Sequence, residues 1–445
     1  MGRLPQINQS SEQNKTPKLS KFSILPVPKD PQLKVESRTM GSQNFDSVPT
    51  VTVIGAGPCG CAFAADLASR GKDVMLYAHP DHRGGTTMIE KNDGWLNADG
   101  EISGRYQIKT TSDLYLAIRH STFLVTTVPS YGQDTILTLL SQFDLRKHTL
   151  IINVGNFFYL SARQKVNAHA ILETDISPYA VRITGDTVFV KGCKKSLAIW
   201  AEPPTTQVER LDPQSELGLR HQVESIFSQK LNWCTNLLEV GLNNVNPVVH
   251  CPAALMNAGW IEATKGDFFF YAQGMSPSVS RVTEKLDLER LAIAHAYGLE
   301  ITPITAYMNQ NYSNPRQYAD YHDFASGSVV HNKTKSSPSS LNHRYLLEDI
   351  LYGLVPWYEL GTKVGLASPT IRALIEMAQV VSSLDYFENG RTLQAAGLGD
   401  ATKEQVLNAL GGPVEKTSVD ASFPDSPVGN TLESHAPLQT AQVAA

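Results

Sequence analysis

The chain is short of cysteine, of net charge and of long apolar runs, and each shortage excludes a class of protein. Its 445 residues hold five cysteines, Cys59, Cys61, Cys193, Cys234 and Cys251, an odd number with no CxxC spacing. No disulfide framework follows from that pattern, so a reducing compartment is expected and no metal site is. The formal net charge is −5. Without a basic excess, nucleic acid is not an expected partner. No apolar run reaches the ~18 residues that a membrane span needs. The first residues, Met1-Gly2-Arg3-Leu4-Pro5, lead into polar sequence rather than the apolar core of a secretory signal. Glu12, Asp30 and Glu36 among scattered prolines argue against a mitochondrial presequence. The expectation is a cytoplasmic protein with no membrane partner.

What is present is ordinary globular material. A hydrophobic share of 42% and a charged share of 18% exclude a largely disordered chain. The length exceeds what one hydrophobic core serves, so two domains are expected. Residues 1–48 and 412–445, rich in Ser, Gln, Thr and Pro without periodicity, read as disordered extensions. The folded part divides into 49–204, where strand and helix alternate, and 205–411, where helical patterns dominate. That gives an α/β fold class: an N-terminal Rossmann-type doubly wound parallel sheet followed by a mostly α-helical domain. Strands are expected at 51–54, 74–77, 123–128 and 149–154, with more between 170 and 203. Helices are expected near 215–228, 248–263, 277–296, 343–363 and 368–381. The polar, aromatic stretch 312–340 reads as a connector.

The first strand, Val51-Thr52-Val53-Ile54, is β-branched and apolar, and Gly55-Ala56-Gly57-Pro58-Cys59-Gly60 follows it directly. An Ala-rich helix comes next. This is G-x-G-x-x-G in its required context. Gly55 allows the tight turn, Gly57 lets backbone approach a pyrophosphate, and Gly60 lets helix and strand pack closely. The helix N-terminus offers free N–H groups to phosphates. An NAD site places a carboxylate at the end of the second strand to hold the ribose 2′-hydroxyl. Here Ala78 or His79 takes that place, with His82 and Arg83 nearby. The missing carboxylate and the cationic Arg83 favour NADP(H) over NAD(H). Pro129 after the fourth strand and Asn156 after the fifth stand at carboxyl ends of strands, where cofactors lie.

Two later segments carry more specific information: Leu242-Asn243-Asn244-Val245-Asn246-Pro247-Val248-Val249-His250-Cys251-Pro252-Ala253-Ala254-Leu255-Met256-Asn257-Ala258-Gly259 and His343-Arg344-Tyr345-Leu346-Leu347-Glu348-Asp349-Ile350-Leu351-Tyr352-Gly353-Leu354-Val355-Pro356. With the glycine turn, with Glu173-Thr174, Pro178-Tyr179, Gly274-Met275-Ser276-Pro277-Ser278-Val279 and with Gly390-Arg391-Thr392, the chain resembles the octopine/nopaline (opine) dehydrogenase family over nearly all of 50–398. The resemblance implies a C-terminal domain like that of 6-phosphogluconate dehydrogenase. It implies a reaction in which a 2-oxo acid and the amine of an amino acid condense to an imine, which NAD(P)H reduces. It also implies His250 as the acid/base, Asp349 as the group that orients it, Arg344 as a carboxylate binder and Asn246 as a substrate contact. A monomer or homodimer acting on small molecules is expected. The pattern departs from the family near the histidine and the acidic pair: Cys251 and Leu351 stand where proline is common. That leaves the choice of substrate open.

The residue types suit the chemistry independently. Reducing an imine takes a hydride and a proton, and histidine titrates near neutrality. A carboxylate on the other ring nitrogen fixes its tautomer. Arginine grips a carboxylate with two parallel hydrogen bonds. Asn246 and His250, four apart, share a face if helical. Glu348 competes with Asp349 for the carboxylate role, and Cys251 reads as a small packing residue. Two other readings stay open. One is a 2- or 3-hydroxy-acid dehydrogenase of related architecture. Such enzymes often use a lysine, and the nearest lysine downstream of His250 is Lys265. The other is a catalytically inactive NADP-binding sensor, against which the presence of His250, Arg344 and Asp349 argues.

Overall fold

In the computed structural model the described residues are 49–202 and 213–412. The extensions expected over 1–48 and beyond 412 lie outside them. The described residues belong to one compact unit.

Among the described residues twelve strands are present: β1 (Val51–Ile54), β2 (Val74–Tyr77), β3 (Trp95–Gly100), β4 (Gly104–Gln107), β5 (Lys109–Thr111), β6 (Phe123–Thr126), β7 (Leu145–Ile152), β8 (Ala168–Thr174), β9 (Tyr179–Thr184), β10 (Thr187–Cys193), β11 (Ser196–Ala201) and β12 (Lys230–Trp233). Eight form a sheet in the order β12-β11-β8-β7-β6-β1-β2-β5. From β5 to β8 every pairing is parallel, which is the doubly wound order that creates a crevice at the carboxyl edge between β1 and β6. All four residues of β1 are fully buried, as an unbroken β-branched run in a two-sided sheet should be. Helix α1 (Pro58–Ser69) packs its alanine-rich face on the sheet. It ends before Gly71, whose φ of +73° suits a helix stop.

The strands between 170 and 203 do not all complete this sheet. β9 and β10 leave it to form a second sheet, β4-β3-β10-β9. Their burial explains why. β8 and β11 are buried along most of their length, whereas β9 is largely half-exposed and β10 alternates at its start. A half-covered antiparallel pair belongs in a layer with one open face. β3, β4 and β5 had no counterpart among the expected strands.

The helical half differs from expectation in three places. The run expected over 248–263 is two helices, α2 (Asn246–Met256) and α3 (Ala258–Thr264). They break at Asn257, whose amide donates to Ala253 O at 2.8 Å and Gly274 O at 2.9 Å. The run over 343–363 is α4 (Arg344–Leu347), a widened π-type turn over Ile350–Leu354 and α5 (Val355–Lys363). The connector over 312–340 contains a helix at Tyr321–Gly327. Tyr312, Tyr318, Tyr321, Phe324 and His331 are buried in it. Those aromatic rings build a small core of their own, which outweighs the polar composition between them. Helices expected near 215–228, 277–296 and 368–381 are found at Pro213–Ile226, Pro277–Ala296 and Pro369–Ser382.

Candidate active site

The glycine turn is built of backbone. Gly55 has a φ of +116°, and a Cβ there would lie 2.9 Å from a Val128 methyl. A Cβ on Gly60 would lie 1.8 Å from Gly55 O, so only glycine lets α1 sit this close to β1. Gly57 is the contrast. It is exposed, it caps α1 without a side-chain bond, and a Cβ there meets nothing within 4 Å. The space above it and the free N–H groups of the first turn fit a pyrophosphate.

At the end of β2, Ala78 is buried and carries no carboxylate. Arg83 is exposed, with its guanidinium on Glu90 at 2.5 Å. His79 lies 3.8 Å from Asp81. Pro129 precedes the helix Ser130–Leu140. Asn156 is buried with a φ of +54°, and its amide donates to Ser130 Oγ at 2.9 Å and accepts from Asn244 at 2.8 Å. Through these two bonds the Asn156 side chain braces the edge of the sheet.

The second cluster is built of side chains. His250 lies in the second turn of α2, after Pro247 at the helix start. Its Nδ1 is 2.7 Å from Asp349 Oδ2. The other ring nitrogen has no hydrogen bond among the described residues, and 11% of the side chain stays accessible. Tyr345 stacks on the imidazole with ring centroids 3.9 Å apart. Asp349 is brought to the histidine by a close approach of backbone. A Cβ on Gly353 would lie 2.5 Å from Pro247 Cγ, so glycine lets the π-type turn press against the start of α2. Leu354 N reaches back to Asp349 O at 3.0 Å, five residues away, and such widened turns are frequent at functional sites.

Arg344 pairs with Glu348 across one helical turn at 2.9 Å. Of the two neighbouring acids, Asp349 holds the histidine and Glu348 holds the arginine. Arg344 stays 43% accessible while Glu348 is 4%, so the guanidinium remains open to solvent above its buried partner. Glu348 Oε1 also accepts from Ser130 N at 2.9 Å and Ser130 Oγ at 3.1 Å. A chain of bonds, Glu348–Ser130–Asn156–Asn244, thus crosses from the sheet to the helical half. It ends where Asn244 Oδ1 accepts from Asn246 N at 3.0 Å, at the start of the helix that carries His250. The Asn246 side chain is half-buried and makes no hydrogen bond among the described residues. Arg391 fastens the same edge, donating to Asn156 O at 2.6 Å, Gly155 O at 3.0 Å and Gln133 Oε1 at 3.0 Å. Ser130, Glu348 and Arg391 were not expected as bracing groups. The i,i+4 spacing of Arg344 and Glu348 was the available signal.

Burial, then the charges of Arg344, Arg182 and Lys194, push His250 well below the ordinary histidine value against the opposing charge of Glu348. The imidazole rests neutral. Burial lifts Asp349 to about 7, against the pull of Arg344. A neutral imidazole bonded through Nδ1, with Nε2 open to a cationic cleft, can exchange one proton with a bound group. No group of three or more His, Cys, Asp or Glu able to hold a metal occurs among the described residues, and no helix among them is long and apolar enough to cross a membrane.

Comparison with known proteins places both clusters in one setting. Residues 233–382 match the family model for the NAD/NADP octopine/nopaline dehydrogenase alpha-helical domain. Residues 50–185 match the model for the NAD-dependent glycerol-3-phosphate dehydrogenase N-terminus. Vitopine synthase of Allorhizobium ampelinum is 29% identical over 371 residues, covering 81% of this chain and 99% of that protein. The opine dehydrogenase of an Arthrobacter species is 27% identical, covering 81% of this chain and 98% of that protein. The structure of octopine dehydrogenase in complex with NADH and agmatine superposes with a TM-score of 0.60 at 18% identity, covering 81% of this chain and 98% of the other. At that identity the superposition speaks for the fold.

Proposed function

We propose, from the match of residues 233–382 to the octopine/nopaline dehydrogenase alpha-helical domain and the 29% identity to vitopine synthase, that the chain is an opine-type oxidoreductase of that family. It condenses a 2-oxo acid with the amine of an amino acid and reduces the resulting imine, giving an N-(carboxyalkyl) amino acid. The observation that carries this reading is the 2.7 Å His250–Asp349 bond beside an accessible Arg344, tied through Glu348 and Ser130 to the sheet edge that bears the glycine turn. The bound nicotinamide cofactor, held by Gly55, Gly57 and Gly60, supplies the hydride.

The chain's own groups supply the rest. Arg344 binds a substrate carboxylate and fixes the reacting carbon in the cleft. The substrate ammonium gives a proton to His250 Nε2, which returns it to the departing hydroxyl as condensation loses one water, and the N–H proton shed as the imine forms recharges Nε2. Reduction then adds one hydride at carbon and needs one proton at nitrogen, again within reach of Nε2. Asp349 holds the Nδ1–H tautomer and stabilises the imidazolium when it forms. Substrate carboxylates offset the charges of Arg344, Arg182 and Lys194, which raises the proton affinity of His250 when substrate is present. Asn246, four residues before His250, completes the substrate contacts.

For the cofactor, NADP(H) is favoured over NAD(H). The buried Ala78 offers no carboxylate to a ribose 2′-hydroxyl, and a 2′-phosphate would compete with Glu90 for Arg83. Comparing kcat/KM for NADPH and NADH in wild type and Arg83→Ala tests the choice: equal loss with both cofactors would refute it. The reaction is tested by following NADPH oxidation with a 2-oxo acid, with and without an amino acid. Oxidation that ignores the amine would replace this reading with a hydroxy-acid dehydrogenase. Tight NADPH binding with no turnover would replace it with a sensor.

A further inference from the structure

Arg182 on β9, Lys191 on β10 and Lys194 just beyond it carry three positive charges on the second sheet. None has a carboxylate within ion-pair distance among the described residues. Their nitrogens meet neutral oxygens instead. Arg182 reaches Ser336 O at 3.4 Å, Lys191 reaches Ser336 Oγ at 2.8 Å and Thr334 Oγ1 at 3.3 Å, and Lys194 reaches Ser177 O at 2.6 Å. The next cation on this wall, Lys333, is paired with Glu101 at 3.6 Å.

Lys191 and Lys194 are each 6% exposed. A cation out of water without a counter-charge is costly. Burial, with Arg182 and Lys333 beside it, lowers Lys191 to about 8. Asp175 feels the charge of Lys194, but its carboxyl accepts from Ile176 N at 2.8 Å and Ala198 N at 3.1 Å, and burial raises it to about 8. It forms no ion pair with Lys194, whose ammonium lies on Ser177 O instead.

Two of the three cations border the candidate site. Arg182 and Lys194 are close enough for their charges to bear on His250. Tyr345, stacked on His250, donates its hydroxyl to Ser336 O at 3.4 Å, the same carbonyl that Arg182 meets. Lys191 lies one step further out, on the Ser336 hydroxyl. A charge count follows, resting on the reaction proposed above. A 2-oxo acid and an amino acid bring two carboxylates next to the reacting atoms. Arg344 takes one of them, but its charge is already balanced by Glu348, so two carboxylates set against the three remaining charges leave one over.

We propose that Arg182 and Lys191, backed by Lys194, form a second anion subsite that holds a carboxylate remote from the reacting carbon, so that one of the two substrates is a dicarboxylate.

The test compares substrates that differ only in that group, using the full chain with NADPH. One arm sets 2-oxoglutarate against 2-oxopentanoate, the other glutamate against glutamine. The acid should be preferred by about tenfold or more in kcat/KM in one arm, through KM, as a charge-assisted bond provides. That arm identifies the dicarboxylate. Arg182→Gln should cut the ratio by roughly fivefold or more, and Lys191→Met should lower it too, whereas Arg182→Lys keeps much of it. Acid and neutral substrates used equally in both arms would overturn the subsite. Calorimetric binding of glutarate needs no turnover. Equal affinity in wild type and Arg182→Gln would also overturn it. Glutarate binding that Arg182→Gln weakens, without amine-dependent oxidation of NADPH, would sink the reaction while leaving the subsite standing.

Discussion

The glycine turn and the His250 cluster meet at the same edge of the sheet, yet they are made of different parts. The turn is six consecutive residues, and what it offers is backbone: a φ of +116° at Gly55, a contact at Gly60 that no Cβ could enter, and open space above Gly57. The cluster draws on residues 130, 182, 250 and 344–349. It exists only because Gly353 packs on Pro247 and Glu348 reaches Ser130. A site of backbone is specified locally and is sensitive to volume. A site of side chains is specified by docking and is sensitive to chemistry. Substitutions should therefore fail in different ways in the two places.

The largest effect is expected in the cluster. His250→Asn should lower kcat by roughly 10²–10⁴-fold, the usual worth of a positioned acid/base, with little change in melting temperature. Asp349→Asn should lower it comparably, because an amide can hold the wrong tautomer. Full activity in His250→Asn would remove the mechanism. The next effect belongs to the turn and separates two glycines. Gly60→Ala places a methyl 1.8 Å from Gly55 O, so the apo protein itself should melt lower, by the few kcal/mol that core overpacking costs, about 1–3. Gly57→Ala meets nothing within 4 Å. It should melt normally without cofactor and bind NADPH about tenfold or more weakly, since the methyl occupies the space meant for the pyrophosphate. Equal melting and equal binding in the two variants would erase the contrast between them.

That contrast also decides how much the sequence could show. The turn was readable because strand, glycines and helix follow one another without a gap, and each glycine answers a local steric need. The parallel sheet was readable because buried strands leave unbroken apolar runs such as Val51–Ile54. The second sheet was not, because β3 and β4 are short and polar and β3 finds its partner in β10, 90 residues later. His250 and Asp349 could be named from the family resemblance, but their bond could not. They lie 99 residues apart, and the widened turn after Asp349 leaves no periodic mark. The division of labour between Glu348 and Asp349 stayed open for the same reason: adjacent acids on a helix differ by 100° in direction, and only the packed structure says which faces the histidine.

A smaller effect sharpens the electrostatics of the cluster. His250 is pushed below the ordinary histidine value of 6.5, by burial first and then by three cations. In the free enzyme the proton needed for reduction is lost as pH rises through that lowered value, so kcat/KM for imine reduction should fall with a midpoint below 6.5. Bound carboxylates offset the cations, so the kcat profile should fall at a higher pH. Because His250 and Asp349 share a proton, both midpoints belong to the pair. Coincident midpoints, or a lower one for kcat, would show that the cations do not control this proton.

The smallest effect tests the floor beneath both sites. Glu173 ends β8 fully buried, accepts from Tyr159 N, and packs against Gly155 at the carboxyl edge of the sheet. Burial raises it from 4.5 to about 7. Between those values the unfolded chain has lost the proton while the folded chain keeps it, so folding stability falls as pH rises from about 4.5 to 7 and is level above that. Gln cannot ionise, so Glu173→Gln should be more favourable relative to wild type at pH 8 than at pH 4, by something on the order of 1–3 kcal/mol. The comparison between the two pH values is the useful quantity. At pH 4 it contains only the cost of placing an amide where Glu173 Oε2 has no partner among the described residues. Chemical denaturation at the two pH values measures it directly. If the difference is absent, the carboxylate is ionised and compensated in the fold. Arg391, whose charge already pulls Glu173 downward, would then link the floor of the turn to the side chains of the cluster.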